Sequence, residues 1–290
     1  MKLLAMLLGM GLFSSTPMSC NKGNAEDAAK DTLLAQLDLK NVFYGSDTAQ
    51  NMDIYLPEGR DTTKTKIVLF IHGGSWNSGD KRDFNEAISA IHKQLPDYAI
   101  FNMNYRLANN NANRFPAAIK DVQSAIDFIS FNAPGYNINA NKFCLIGASA
   151  GGHLALLQAY KNNSDGKVKA VIDLFGPTDL TDFYNNHPIP AASRPVLVNF
   201  LGTKPSNNAD LYVSASPVSY ATHGVPTKIF HGAADVIVPI KQSKTLKARL
   251  QANNIKVEMI TYEGEGHGWY GNNLLDTYSQ TVKFIKENVF

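Results

Sequence analysis

Lys142-Phe143-Cys144-Leu145-Ile146-Gly147-Ala148-Ser149-Ala150-Gly151-Gly152 joins an apolar run to a cluster of small residues. Phe143 to Gly147 has the length and unbroken apolarity of a buried strand. Gly151-Gly152-His153-Leu154-Ala155-Leu156-Leu157 continues as an apolar helix. Ser149 therefore falls on the turn between them, in the pattern G-x-S-x-G of a nucleophile elbow. A strand that turns this sharply into a helix holds the serine in strained backbone geometry. A Cβ at position 147 or 151 would meet neighbouring backbone, so both positions call for glycine. The pentapeptide also suits a plain strand-to-helix packing turn. A base, an acid and oxyanion donors elsewhere in the chain decide between the two.

On either side of this turn the chain alternates strand and helix. Val42-Phe43-Tyr44 and Met52 to Leu56 read as an antiparallel hairpin at a sheet edge, followed by strands at Lys66 to Ile71 and Tyr98 to Tyr105. Further strands are expected at Val168 to Phe175, Thr227 to Phe230 and Val257 to Tyr262. Helical spacing marks Phe84 to Leu95, Ile119 to Ile129, Ala150 to Tyr160, Gln242 to Ala252 and Leu275 to Val289. This order predicts an α/β fold: a mostly parallel eight-stranded sheet with helices on both faces. Residues 179–216, rich in Asn, Pro and Ser with one short helix expected at Val196 to Leu201, interrupt the alternation and are read as a small cap insertion over the C-terminal edge of the sheet.

Three further signals sit at the C-terminal ends of predicted strands, on the side of Ser149. His72-Gly73-Gly74-Ser75-Trp76 can turn backbone N–H groups of Gly73 and Gly74 toward the site, which with the N–H of Ala150 would form an oxyanion hole. His231-Gly232-Ala233-Ala234-Asp235 supplies an acid; Asp173, Asp179 and Asp182 are its rivals, and a loop aspartate also serves as a turn-former. Gly264-Glu265-Gly266-His267-Gly268-Trp269 offers an unobstructed histidine. His72 and His231 are read as loop braces, and His92, His187 and His223 lack a strand-end position. Ser149, Asp235 and His267 fall in the order Ser, Asp, His, each after its own strand. Trp76 and Trp269 flank the oxyanion loop and the histidine, where each suits either packing or the wall of an acyl or leaving-group pocket with Ser75.

At 290 residues, 44% hydrophobic and 18% charged, the chain supports one large α/β domain. A formal charge of +2 leaves no basic excess for a phosphate backbone, so nucleic acid is not an expected partner. No metal-ligand or nucleotide motif is present, and neither a metal nor a cofactor is expected. Lys2, the apolar run Leu3 to Phe13 and Ser19-Cys20 read as a signal peptide over residues 1–19, too short to span a bilayer. Cys20 is similar to the acylated cysteine of bacterial lipoproteins, with ordinary cleavage or an uncleaved anchor as alternatives; each implies export. Residues 20–38 read as a polar tether that turns helical near Leu33-Leu34-Leu37, with the α/β domain over 39–290. Cys144, inside the apolar strand, is expected to be a buried small hydrophobe.

H-G-G-S-W-x-x-G-D, N-Y-R-L with R-F-P-A-A-I-K-D-V, and G-A-S-A-G-G-H-L-A together resemble the α/β-hydrolase superfamily over about residues 40–290. Within it they look like the hormone-sensitive-lipase-type carboxylesterases, and still more like their bacterial feruloyl/acetyl esterase branch. The resemblance implies Ser149 as nucleophile, His267 as general base, Asp235 as its orienting acid, and Gly73, Gly74 and Ala150 in the oxyanion hole. It also implies short-chain or aromatic acyl esters as substrates, among them acetyl or feruloyl groups on plant polysaccharide. Ser75 stands where the branch has a third glycine, and Asn104, Asn109 and Asn110 depart from its D-Y-R-L-A-P-E residues. Two alternatives stay open: an amidase or peptidase similar to kynurenine formamidases, and a catalytically silent binding protein.

Overall fold

The computed structural model describes residues 33–109 and 111–290; the signal peptide, Cys20 and residues 21–32 of the tether lie outside the described residues. In chain order the elements are β1 (Leu37–Phe43), β2 (Asn51–Leu56), β3 (Lys66–Ile71), α1 (Asn85–His92), β4 (Tyr98–Met103), α2 (Ala117–Tyr136), β5 (Phe143–Ala148) and α3 (Ala150–Lys161). They continue as β6 (Val168–Leu174), α4 (Leu180–Asn185), α5 (Pro190–Leu201), α6 (Ala209–Ser214), β7 (Thr227–Gly232), α7 (Lys241–Ala252), β8 (Val257–Tyr262) and α8 (Gly271–Asn288). The eight strands form one sheet in the order β1-β2-β4-β3-β5-β6-β7-β8. Only β1 with β2 and β2 with β4 pair antiparallel; from β4 to β8 every pair is parallel.

The continuous apolar runs are strands covered on both faces, and alternate side chains feed two different cores. Ile67, Leu69 and Ile71 of β3, with Phe143 and Leu145 of β5, pack into the core that includes α2, α3 and α7. Val68, Phe70, Cys144 and Ile146 point the other way, against α1 and α8. Cys144 is fully buried there as a small apolar filler. Pairing of Ile71 with Gly147 and of Gly147 with Asp173 aligns the C-terminal ends of β3, β5 and β6, which brings their following loops to one edge.

Two expectations need correction. The tether does not turn helical near Leu37: β1 begins there, pairing Leu37 with Leu56. Its side chains are mostly exposed, so main-chain bonds to β2 rather than burial define it, and no hydrophobic period announces such a strand. The cap holds three helices instead of one. The helices α4 and α6 have 6 residues each, too few to display an apolar period. Each is started by a side-chain cap: Asp179 accepts from the Asp182 N–H (2.9 Å) and Asn208 from the Leu211 N–H (3.0 Å).

Candidate active site

Ser149 sits at φ 53°, ψ −119°, between β5 and α3. Such geometry stores on the order of 1–3 kcal/mol in a non-glycine residue and needs surroundings that hold it. The Ser149 N–H donates to Leu174 O (2.8 Å), and its carbonyl accepts from the His153 N–H (3.0 Å). The flanking glycines are sterically obligatory. A Cβ on Gly147 would lie 2.1 Å from Gly151 O, and one on Gly151 would lie 2.0 Å from Ile71 O.

The elbow presents Ser149 Oγ 2.9 Å from His267 Nε2, across 118 residues of sequence. His267 Nδ1 lies 2.7 Å from Asp235 Oδ2. An ionised carboxylate only accepts, so this contact keeps the ring proton on Nδ1 and turns the Nε2 lone pair toward the serine hydroxyl. Asp235 is itself fixed: its Oδ1 accepts the N–H groups of Ile237 (2.8 Å) and Val238 (2.9 Å). Burial opposes ionisation of Asp235, but hydrogen bonds from His231 and His267 and the backbone donors hold its carboxyl well below the usual carboxylate range. His231 Nε2 donates to Val238 O (2.7 Å) and lies 3.4 Å from Asp235 Oδ2, while Ser243 Oγ sits 2.7 Å from its Nδ1. His231 thus braces the acid loop. That loop is joined to the histidine loop by the Ala234 N–H, which donates to Glu265 O (2.9 Å).

Gly73 abuts the nucleophile, where a Cβ would come within 3.3 Å of Ser149 Cβ. Ser75 and Trp76 that follow it both have positive φ, 54° and 60°. The loop is locked by Tyr105 OH donating to His72 O (3.0 Å), by the His72 ring stacked 4.4 Å from Tyr105, and by the Ala108 N–H donating to Trp76 O (2.8 Å). Among the described residues, no protein acceptor takes the N–H of Gly74 or Ala150. Both are thus free donors on backbone near Ser149. Ser75 is half-buried next to them.

The two tryptophans separate. Trp76 is only 2% exposed, stacked 4.3 Å from Phe200 of α5, and its Nε1 donates to His153 Nδ1 (3.2 Å). It is packing beneath the cap, not a pocket wall; an indole two residues past Gly74 is better accommodated in the core than in the open mouth. Trp269 does line an apolar cavity beside the site, with Nε1 donating to Thr277 Oγ1 (2.8 Å). His153 is buried between Trp76 and the Ala215 carbonyl, to which its Nε2 donates (2.7 Å), and burial pushes its pKa down to about 4.

The rival acids have other places. Asp179 caps α4, and Asp182 binds Lys241 Nζ at 2.6 Å. Asp173 is fully buried under the elbow, wedged against Gly152 and Gly176; its Oδ1 accepts the Gly176 N–H (2.9 Å) and its Oδ2 has no partner among the described residues. Burial raises its pKa to about 7, only partly offset by the neighbouring His231 and the Gly176 N–H. Sequence reasoning missed Phe175. It holds φ 48°, rare for a bulky residue, and its ring lies 4.5 Å from that of His267. Its position directly after β6, at the same edge as the other site loops, was the available signal. No three of His, Cys, Asp and Glu gather to hold a metal ion among the described residues.

The model of the BD-FAE family matches residues 52–250. Esterase LipC of Mycobacterium tuberculosis is 28% identical over 249 residues, 79% of this chain and 59% of that protein. Isoprenylcysteine alpha-carbonyl methylesterase ICME of Arabidopsis thaliana is 26% identical over 245 residues, 79% of this chain and 56% of its own. The chain thus spans less than two thirds of the length of these relatives. Among solved structures, a truncated carbohydrate esterase from gut microbiota superposes with a TM-score of 0.72 at 26% identity, covering 89% of this chain and 98% of that one. A bifunctional GH43-CE protein of Bacteroides eggerthii gives a TM-score of 0.74 at 27% identity, covering 87% of this chain and 35% of that one.

Proposed function

The chain belongs to the BD-FAE family of α/β-hydrolase-type esterases, and from that membership we propose that it is a serine carboxylesterase acting on short-chain or aromatic acyl esters. The observation that carries this is the unbroken relay from Ser149 Oγ through His267 to Asp235, at 2.9 and 2.7 Å, beside two free backbone donors. Ser149 Oγ adds to the ester carbonyl carbon while His267 Nε2 takes its proton. The oxyanion so formed faces the N–H groups of Ala150 and the Gly73-Gly74 loop. Collapse breaks the bond to the alcohol oxygen, which leaves with the proton from His267. Water, activated by the same nitrogen, then releases the acid and restores Ser149. Asp235 holds the imidazole in the required tautomer and stabilises its charged form.

Acetyl or feruloyl groups on plant polysaccharide are the substrates we favour, supported by the likeness to a gut-microbiota carbohydrate esterase and to a bifunctional GH43-CE protein. Export is part of the same proposal: the short apolar run before Cys20 suits a leader whose cysteine becomes a lipid anchor. Residues 21–290 are to be assayed on esters running from acetyl to long-chain and feruloyl, on their amide analogues and on acetylated xylan, with Ser149→Ala as control. Activity confined to acetyl and feruloyl esters, retained on the polymer and lost in the variant, is the expected result. Turnover of the amides alone, or of none of the esters, would refute the esterase assignment. Radiolabelled fatty acid should enter the full chain and not Cys20→Ala; equal labelling would refute the anchor.

A further inference from the structure

The loop that begins at His72-Gly73-Gly74 ends on a buried charge. Lys81 has a side chain only 4% exposed, and its Nζ lies 2.8 Å from Asp53 Oδ1. The same nitrogen donates to Asn41 Oδ1 and to Asn51 Oδ1, at 2.6 Å each. An ammonium has three donors, and here all three are used. Every acceptor belongs to β1 or β2, the antiparallel edge of the sheet. The main chain of Lys81 is held as well: its N–H donates to Asn104 Oδ1 (2.6 Å), and its carbonyl accepts from Asn102 Nδ2 (2.7 Å).

From this anchor a short run of contacts leads back to the backbone beside Ser149. Asp80 Oδ2 accepts from Asn104 Nδ2 (3.0 Å), so one amide holds both Asp80 and Lys81. Gly79 presses on the start of the loop, where a Cβ would lie 2.4 Å from Gly73 O and 2.7 Å from His72 Nδ1. The N–H groups of Asn77 (3.1 Å) and Ser78 (2.9 Å) and the Ser78 hydroxyl (2.9 Å) all donate to Gly74 O. The Gly73-Gly74 turn is thus backed by residues 77–79, and these hang from Asp80 and Lys81. Stability alone does not call for such an anchor. A buried ion pair is often no better than apolar residues of the same volume, and Asn102 Oδ1 is left buried without a partner among the described residues. Charge and amide contacts do, however, fix direction, which apolar packing does not.

We infer that Lys81 is a positioning residue for the oxyanion hole: with Asp53 and Asn104 it sets where the Gly73-Gly74 backbone stands relative to Ser149 Oγ. The inference rests on the esterase reading, and not on its polysaccharide arm. The test uses the 290-residue chain, with phenyl acetate as substrate and methylboronic acid as inhibitor. Boron bonds to Ser149 Oγ while the hydroxyl proton passes to His267, giving a tetrahedral anion that needs the same donors as the transition state. Lys81→Met combined with Asp53→Asn removes both charges together and keeps an acceptor for the Asn41 N–H (3.0 Å). Asn104→Asp keeps the shape but turns its donor to Asp80 into a second carboxylate. A shift of about 1 Å in the reacting geometry costs on the order of 10²-fold, so kcat should fall about 10- to 100-fold in both proteins with KM within about twofold. The boronate Ki should rise by the same factor as kcat falls, while the acid limb of the pH–rate profile, set by His267, stays in place. The double variant should melt within a few degrees of the wild type, because no charge is left unpaired; Asn104→Asp carries the test alone if it does not fold. Folded variants with full kcat, or a lower kcat with unchanged boronate Ki or a displaced acid limb, overturn the anchor and leave the esterase reading intact. Hydrolysis of no ester by the wild type overturns both.

Discussion

Asp173→Asn should change stability in opposite directions at the two ends of the ordinary pH range. The Asp173 carboxyl is fully buried, has one unpartnered oxygen and is held at a pKa of about 7, against about 3.9 in an unfolded chain. Below about pH 4 it is protonated in both states and contributes nothing to the pH dependence. As pH rises from about 4 to about 7 the unfolded chain loses this proton while the folded one keeps it, so stability declines through that window. Three pKa units at 1.36 kcal/mol each amount to about 4 kcal/mol, of which roughly 3 falls between pH 4.5 and 8. Asn is neutral throughout. Its amide has no acceptor to replace the unpartnered oxygen, a pH-independent penalty of about 1–3 kcal/mol. The variant should thus melt below the wild type at pH 4.5 and level with or above it at pH 8, the gap moving by about 6 °C at roughly 2 °C per kcal/mol. Titrating groups that do not interact with Asp173 are common to both proteins and cancel. Melting curves that run parallel across pH 4.5–8 would refute a buried carboxyl that ionises near neutrality.

Asp235→Asn should lower kcat about 10⁴-fold, because an amide no longer enforces the Nδ1 proton of His267; loss of less than tenfold would show that the acid is elsewhere. Gly151→Ala places a methyl 2.0 Å from Ile71 O and 2.5 Å from His72 O, both backbone, and should destabilise by more than about 4 kcal/mol; a melt within a few degrees of the wild type contradicts the elbow geometry. His153, buried neutral with its pKa near 4, takes up a proton more readily when unfolded, so stability falls as pH drops from about 6.5 to about 4, by up to roughly 3 kcal/mol. His153→Gln does not titrate, and denaturant curves of that variant should lack this acid slope.

The central parallel strands were legible because burial on both faces leaves unbroken apolar runs: Lys66–Ile71 has the bounds its sequence announces. The triad was legible for a related reason. Each member follows a strand within a glycine-rich loop, and parallel strands bring such loops to one edge. What escaped lies where neighbours in space, not in sequence, set the structure. Edge strand β1 is held by main-chain bonds to β2, and the short cap helices by single side-chain caps. Trp76 could not be told from a pocket residue until Phe200, more than a hundred positions later, was seen to cover it. Phe175 carries no mark of its positive φ, since nothing in its type requires that conformation.

Phe200 has a consequence beyond packing. It ties the cap to the oxyanion loop through Trp76, and two further ties join the cap to the site: Asn199 Nδ2 donates to Ala108 O (3.0 Å), and His187 Nε2 donates to Ile237 O (3.0 Å) beside the acid. To swing open, the cap would have to unstack an indole and pull on both the donor loop and the carboxylate loop. It is a fixed roof and not a door. Such a roof selects by the width of the entrance and not by the timing of a closure, so pre-steady-state acylation should begin without a lag and at a rate indifferent to solvent viscosity.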